Sequence, residues 1–308
     1  MNRTMLKLAM GSFLAAATAL TAGDARSDAP RPVTPAGTGM AGVYGVSSAD
    51  QQEFLSSPDA IKSAAASGAP TLVWETLEHG EKVECLDCIA VVAPLLYDAN
   101  AKNREIAAWW LRRRIFGVFG PGEVYQQTVQ ALQSDPDPVR RSYAAYALGE
   151  FFAAPGIDAC AAAVTADADP RVRAAAASAL GRLNDDGSGA LGKALADNDS
   201  SVKLAALASA ARINAFSSAA NLAAMTTDGD AAVRRRALEV LDALHVADAI
   251  APVTAAAQND TDAGVRAVAC HALGTFGNTA ALPALQNLSQ NDPNTFVRDQ
   301  ASIALKRL

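Results

Sequence analysis

Apolar residues recur along this chain at helical spacing, broken at regular intervals by acidic turns. The unit is clearest at Asp167-Ala-Asp-Pro-Arg-Val-Arg173-Ala-Ala-Ala-Ala-Ser-Ala-Leu180-Gly181: an acidic turn, then an Ala-rich stretch that predicts a helix. Aligning the copies on their closing residue gives Leu111, Leu148, Leu180, Ala210, Leu241, Leu273 and Leu305, spaced 37, 32, 30, 31, 32 and 32 residues apart. A period near 31 is a signature of helix-pair repeats.

Four columns hold in every copy. Thirteen residues before each closing position stands Asp98, Asp135, Asp167, Asp197, Asp228, Asp260 or Asp292. Two residues later comes Asn100, Asp137, Asp169, Asp199, Asp230, Asp262 or Asn294, placed to accept hydrogen bonds from the free N–H groups of a helix start. Seven before the closing position is a cation: Arg104, Arg141, Arg173, Lys203, Arg234, Arg266 or Arg298. Four before it is alanine, from Ala107 to Ala301, as expected where a neighbouring helix leaves no room. Gly149, Gly181 and Gly274 follow the closing leucine, and the pattern predicts that they end helices in the left-handed conformation. A second helix between motifs is expected at 156–165, 189–196, 219–225, 249–258 and 279–288.

These elements predict an all-α solenoid of about seven helix-pair repeats over residues 85–308. An irregular helical cap covers its N-terminal end over 49–84. The motif Asp135-Pro-Asp-Pro with Arg141 and Ala144-Ala-Tyr-Ala-Leu-Gly149, and its counterpart at 167–181, resembles the HEAT repeat, in particular the short bacterial repeats of the phycobilin lyase group. That resemblance implies a HEAT-like solenoid and, more remotely, a lyase or enzyme helper. Arg140 stands where the family prefers valine, and Ala210-Ala211 replaces Leu-Gly; both imply locally altered packing.

Composition narrows the class. Half of the residues are hydrophobic but only 6% are aromatic, as suits closely spaced Ala-rich helices. A formal net charge of −6 disfavours an electrostatic nucleic-acid binder. Arg3 and Lys7 precede an apolar run from Leu8 to Ala22 that is short for a membrane span, so residues 1–25 read as an export signal. Pro, Gly, Ala, Ser and Thr then dominate 26–48, a stretch expected to be a disordered linker. The expected location is periplasmic or extracellular, with no membrane span after cleavage.

Candidate chemistry is sparse. The Asp and Arg columns could bind metal or anions along the turns, but identical sets in every copy suit a structural ladder better. Cys85 and Cys88 precede a helix expected at 89–97 and read as a structural disulfide, a redox pair, or, with His79, part of a metal site. Cys160 and Cys270 read as small buried hydrophobes. No catalytic constellation, His-Glu pair, phosphate loop or cofactor motif is present, so no enzyme, cofactor or metal is expected. The segment from Trp109 to Tyr125 accounts for the 37-residue spacing. Two residues before the closing position the column varies freely: Trp109, Tyr146, Ser178, Ala208, Glu239, His271, Ile303. If it lines the inner face, Trp109 and Tyr146 with Arg112, Arg113 and Arg114 form a patch for a protein or peptide partner. The competing reading is packing of large aromatics beside the cap.

Overall fold

Each acidic turn starts a helix by the same hydrogen bonds. In all seven copies the second Asp or Asn is an N-cap in extended backbone whose side chain accepts a backbone N–H of the helix's first turn. Such a cap is worth about 1 kcal/mol. The first Asp braces the turn: its Oδ1 accepts the N–H of the residue two positions on, at 2.6–2.9 Å. Proline at the first helical position of the second and third copies fixes the backbone where no N–H is required.

The computed structural model describes residues 56–117, 120–214 and 216–308. The signal expected at 1–25, the linker at 26–48 and residues 49–55 of the cap lie outside these. Among the described residues the cap contains α1 (Pro58–Ser67) and α2 (Pro70–His79). Seven pairs follow. Their first, or A, helices are α3 (Leu86–Val92, continued by a 3-10 turn over Ala93–Tyr97), α5 (Glu123–Ser134), α7 (Gly156–Ala166), α9 (Ala190–Ala194), α11 (Ala219–Ala224), α13 (Ile250–Asn259) and α15 (Leu282–Asn291). Their second, or B, helices are α4 (Ala101–Leu111), α6 (Pro138–Glu150), α8 (Pro170–Leu183), α10 (Ser200–Ala210), α12 (Ala231–Ala243), α14 (Ala263–Phe276) and α16 (Thr295–Leu305). The result is an all-α solenoid. Among the described residues its one departure is a two-residue antiparallel ribbon, Phe116–Gly117 with Gly120–Pro121, within the insertion.

One core runs along the array. The repeated alanine is fully buried in every copy, and the closing residue is buried in the first six. Neighbouring B helices pack more extensively than neighbouring A helices. The B helices thus form the more closely packed layer of the array.

The glycines correct one expectation. Gly149, Gly181 and Gly274 lie inside helices and do not terminate them. Their role is close approach: a Cβ on Gly149 would sit 2.8 Å from the Ala179 backbone, and one on Gly274 would sit 2.8 Å from Ala304. Left-handed helix ends fall instead at Gly68, Asn184 and Gly277.

Candidate functional site

The charged columns form a ladder between repeats. Arg141 grips Asp167 through Nε and Nη2 at 2.7 and 2.9 Å, and Arg173–Asp197, Arg234–Asp260 and Arg266–Asp292 repeat this two-bond clamp. Lys203 makes a single bond to Asp228 at 2.6 Å. In the arginine rungs Nη1 also donates to the backbone carbonyl of the preceding Asp, tying turn to turn. The Arg173 hydrogen bonds hold Asp197 below the usual carboxylate range, and Arg234 and Arg266 do the same for Asp260 and Asp292. Every carboxylate oxygen in a clamp accepts a hydrogen bond from the arginine of the preceding repeat, so the clamps tie one repeat to the next.

Its two ends differ. Arg104 bonds the Asp98 carbonyl, but its guanidinium lies 3.9 Å from the Tyr143 ring centroid and does not reach Asp135. Asp135 takes Arg140 instead. Arg298, in the last repeat, donates to the Asp292 carbonyl and to Thr295.

The variable column faces outward. Trp109, Tyr146, Ala208, Glu239 and His271 are partly exposed and Ser178 and Ile303 more so, while the residues immediately beside them on each B helix are buried, Ser302 excepted. The adjacent tryptophans part company. Trp110 is fully buried and donates its indole N–H to Gly80 O at 3.0 Å, so it joins cap to array. Trp109 packs against the core and is partly exposed.

The arginine triplet divides likewise, which corrects the expectation of a single basic patch. Arg114 stacks on Trp110, 3.7 Å from the ring centroid, and donates to the carbonyls of Trp110, Gly80, Glu81 and Val83. Arg113 pairs with Glu81. Both are turned to the cap, Arg114 to the carbonyls of the 80–83 turn and Arg113 to the Glu81 carboxylate. Only Arg112 joins the aromatic surface, 5.9 Å from the Trp109 centroid and 5.6 Å from that of Phe152. Phe152, which the sequence did not single out, is 54% exposed and sits at φ 52°. Its only sequence signal is the Phe151-Phe152 pair at a helix end, where one ring is buried and the other has no place. On α6, Tyr146 bonds Glu150, and Arg182 pairs with Glu150 and lies over the Tyr146 ring. Burial and the neighbouring Glu150 push the Tyr146 phenol up to about 12, so it stays neutral.

HEAT repeats match residues 125–211 and 218–306, more than half of the chain. The chain belongs to the HEAT-repeat family. No curated protein matches it in sequence. Its fold is similar to that of the Escherichia coli protein YibA (18% identity, 85% of this chain and 98% of that one, TM-score 0.55). It is also similar to part of Kap121p, solved bound to Pho4p (14% identity, 85% of this chain and 34% of that one, TM-score 0.56). The CpcE–CpcF complex of phycocyanin lyase from Nostoc is a more distant likeness (21% identity, 71% and 94% covered, TM-score 0.39).

Two further features lie on the A side of the HEAT solenoid. At the N-terminus of α3 the Cys85 and Cys88 sulfurs are 2.05 Å apart with their Cα atoms 5.2 Å apart, and the Cys88 N–H points at the Cys85 sulfur. His79 is turned away to the Glu75 carbonyl. Among the described residues no three His, Cys, Asp or Glu side chains converge as a metal site. Cys160 and Cys270 are buried, and burial pushes both thiols up to about 12. Where the insertion parts α3 from α5, an open groove of about 720 Å³ is lined by Ile89, Ala93, Tyr97, Val124 and Arg140, with Leu86 83% exposed at its rim. Its sequence signals were the 37-residue spacing and Arg140 in a column otherwise mostly valine; Arg140 now lies 4.3 Å from the Tyr97 ring centroid. Among the described residues no helix is long and apolar enough to cross a membrane.

Proposed function

We propose that this chain is an exported, non-catalytic scaffold that holds a protein or peptide partner against the inner face of its B helices. The observation that carries the reading is the variable column. Its residues differ from repeat to repeat and stay accessible, while the alanine two positions before each is the same in every repeat and buried. A scaffold uses its shared residues for packing and its varied ones for recognition. The partly exposed aromatics at one end supply rigid anchors of the kind that dominate binding energy. HEAT solenoids commonly bind protein partners, and Kap121p, of similar fold, was solved with one.

Export is supported by the basic and apolar leader and by a close Cys85–Cys88 pair, which we take as a structural disulfide of an oxidising compartment. Mass spectrometry of the protein recovered from cell fractions tests this. A mature chain lacking residues 1–25 outside the cytoplasm is expected; an intact N-terminus in the cytoplasm would refute export.

A photo-crosslinking residue at Ser178 or Ala208, on the inner face, is expected to give a discrete protein adduct in the producing cells. The same residue at Gln133 or Gln258, exposed on A helices, is not. The reading fails if the outer positions give the same adduct in equal yield, or if Trp109→Ala with Tyr146→Ala leaves the inner adduct unchanged.

A further inference from the structure

Arg112 occupies the column that holds Gly149, Gly181 and Gly274 in other repeats. Where that column is glycine, the next B helix closes in until a Cβ would clash. Where it is Arg112, α4 and α6 touch far less than α6 and α8 do. At this looser joint the arginine's head emerges between Trp109 on α4 and Phe152 just past α6. Among the described residues its side chain has neither a hydrogen bond nor an ion pair; its only partners are the two rings. The nearby acids are engaged elsewhere: Glu81 with Arg113, and Glu150 with Arg182 and Tyr146. Glu105 acts on Tyr146 and lies two turns back along α4, about 10 Å away at 1.5 Å per residue.

Position at a helix C-terminus accounts for positive charge at 112 but not for its flanking rings. Phe152 sharpens the point. A left-handed backbone strains a non-glycine residue, and glycine would adopt it freely. The ring it carries is held out to solvent beside Arg112.

We propose that Arg112 receives a carboxylate of the partner while Trp109 and Phe152 grip the apolar side chain next to it, so that the segment held on this face is a peptide with an acidic residue beside an aromatic or aliphatic one. Ring-flanked guanidinium is partly desolvated, and its planar fork remains free for a two-bond clamp. The same pairing appears inside the molecule, where four arginines of the ladder each clamp an aspartate.

This inference rests on the inner-face reading, and one selection tests both. Random short peptides are displayed against the full chain, and the enriched sequences are read. One enriched peptide is then titrated by calorimetry as selected, with its acid replaced by the amide, and with its acid replaced by lysine. Acid-plus-apolar peptides are expected to dominate. Arg112→Gln should weaken binding about tenfold or more. Arg112→Glu should prefer the lysine peptide. Phe152→Gly should weaken binding while leaving the thermal midpoint near that of the parent, which separates lost recognition from lost fold. Neutral or basic peptides among the winners, or equal binding of the acidic peptide by Arg112→Glu, would overturn the carboxylate assignment. If those winners are still lost with Trp109→Ala and Tyr146→Ala, the inner face stands and only the acid preference falls. No enrichment, or peptides indifferent to every inner-face change, would overturn both.

Discussion

Gly149 shows what a single residue can and cannot announce from sequence. The N-caps were legible because capping is local: an Asp or Asn and the N–H groups it serves lie within one turn. Gly149 follows a closing leucine, as a helix-ending glycine would, and only the neighbouring helix reveals why it is glycine. Its Cβ would meet Ala179 Cα at 2.8 Å and Ala179 Cβ at 3.0 Å. Helix propensity alone would make Gly149→Ala stabilising by about 1 kcal/mol. The contact reverses the sign, and we expect a loss of about 1–3 kcal/mol in denaturant unfolding. Ala179→Gly in the same chain should restore part of it. Strict additivity of the two changes would show that the helices do not meet there. The same dependence on distant partners hid the site: nothing in Trp109-Trp110 or Arg112-Arg113-Arg114 says which member turns to the cap. Trp110, Arg113 and Arg114 do so because the 80–83 turn offers them carbonyls and Glu81.

At the scale of the element, the ladder rungs compare one chemistry in several settings. Lys203 is the odd rung, a point charge making one bond where arginine makes two to its aspartate. Lys203→Arg should therefore stabilise the protein, by about 0.5–1 kcal/mol, read as a higher midpoint in guanidinium. A lower midpoint would mean that the spacing there does not admit the planar fork. The rungs also set the acid limit. Asp197, Asp260 and Asp292 have folded pKa values below that of the unfolded chain, near 3.9. Their contribution is thus fully present above about pH 4 and lost as pH falls through the folded values. Thermal midpoints should hold between neutrality and about pH 5, then drop steeply below 4. Arg173→Met should shallow that drop, since Asp197 would no longer be held so low. An unchanged slope would remove the ladder from the account. The repeating columns made the rungs readable in sequence. The missing first rung was not, because Arg104 turns to Tyr143, which is a feature of one repeat only.

Along the array the joints between repeats are unequal, and glycine in the column after the closing residue marks the most extensive ones. That column reads Arg112, Gly149, Gly181, Ala211, Asp242, Gly274. The three glycine joints, α6 to α8, α8 to α10 and α14 to α16, have the most extensive B-helix contact; the joints at Arg112, Ala211 and Asp242 have less. A solenoid's stability is approximately a sum of repeat and interface terms, so weaker interfaces should open first. The joint at Arg112 also lacks a ladder rung and carries the insertion, with its open groove on the A side. The repeat period that exposed the architecture is thus also where the weak points can be read, once the role of the glycine is known. Amide hydrogen exchange of the native protein should find α6, α8 and α10 protected as one slow block. The α4 and α12 helices should exchange faster, opening at their looser joints. Ala211→Gly should extend the slow block into α12 by letting it close on α10, provided Ala211 is what keeps them apart. Uniform protection along the B helices, or fastest exchange at the glycine joints, would show that contact at this column does not govern how the array opens.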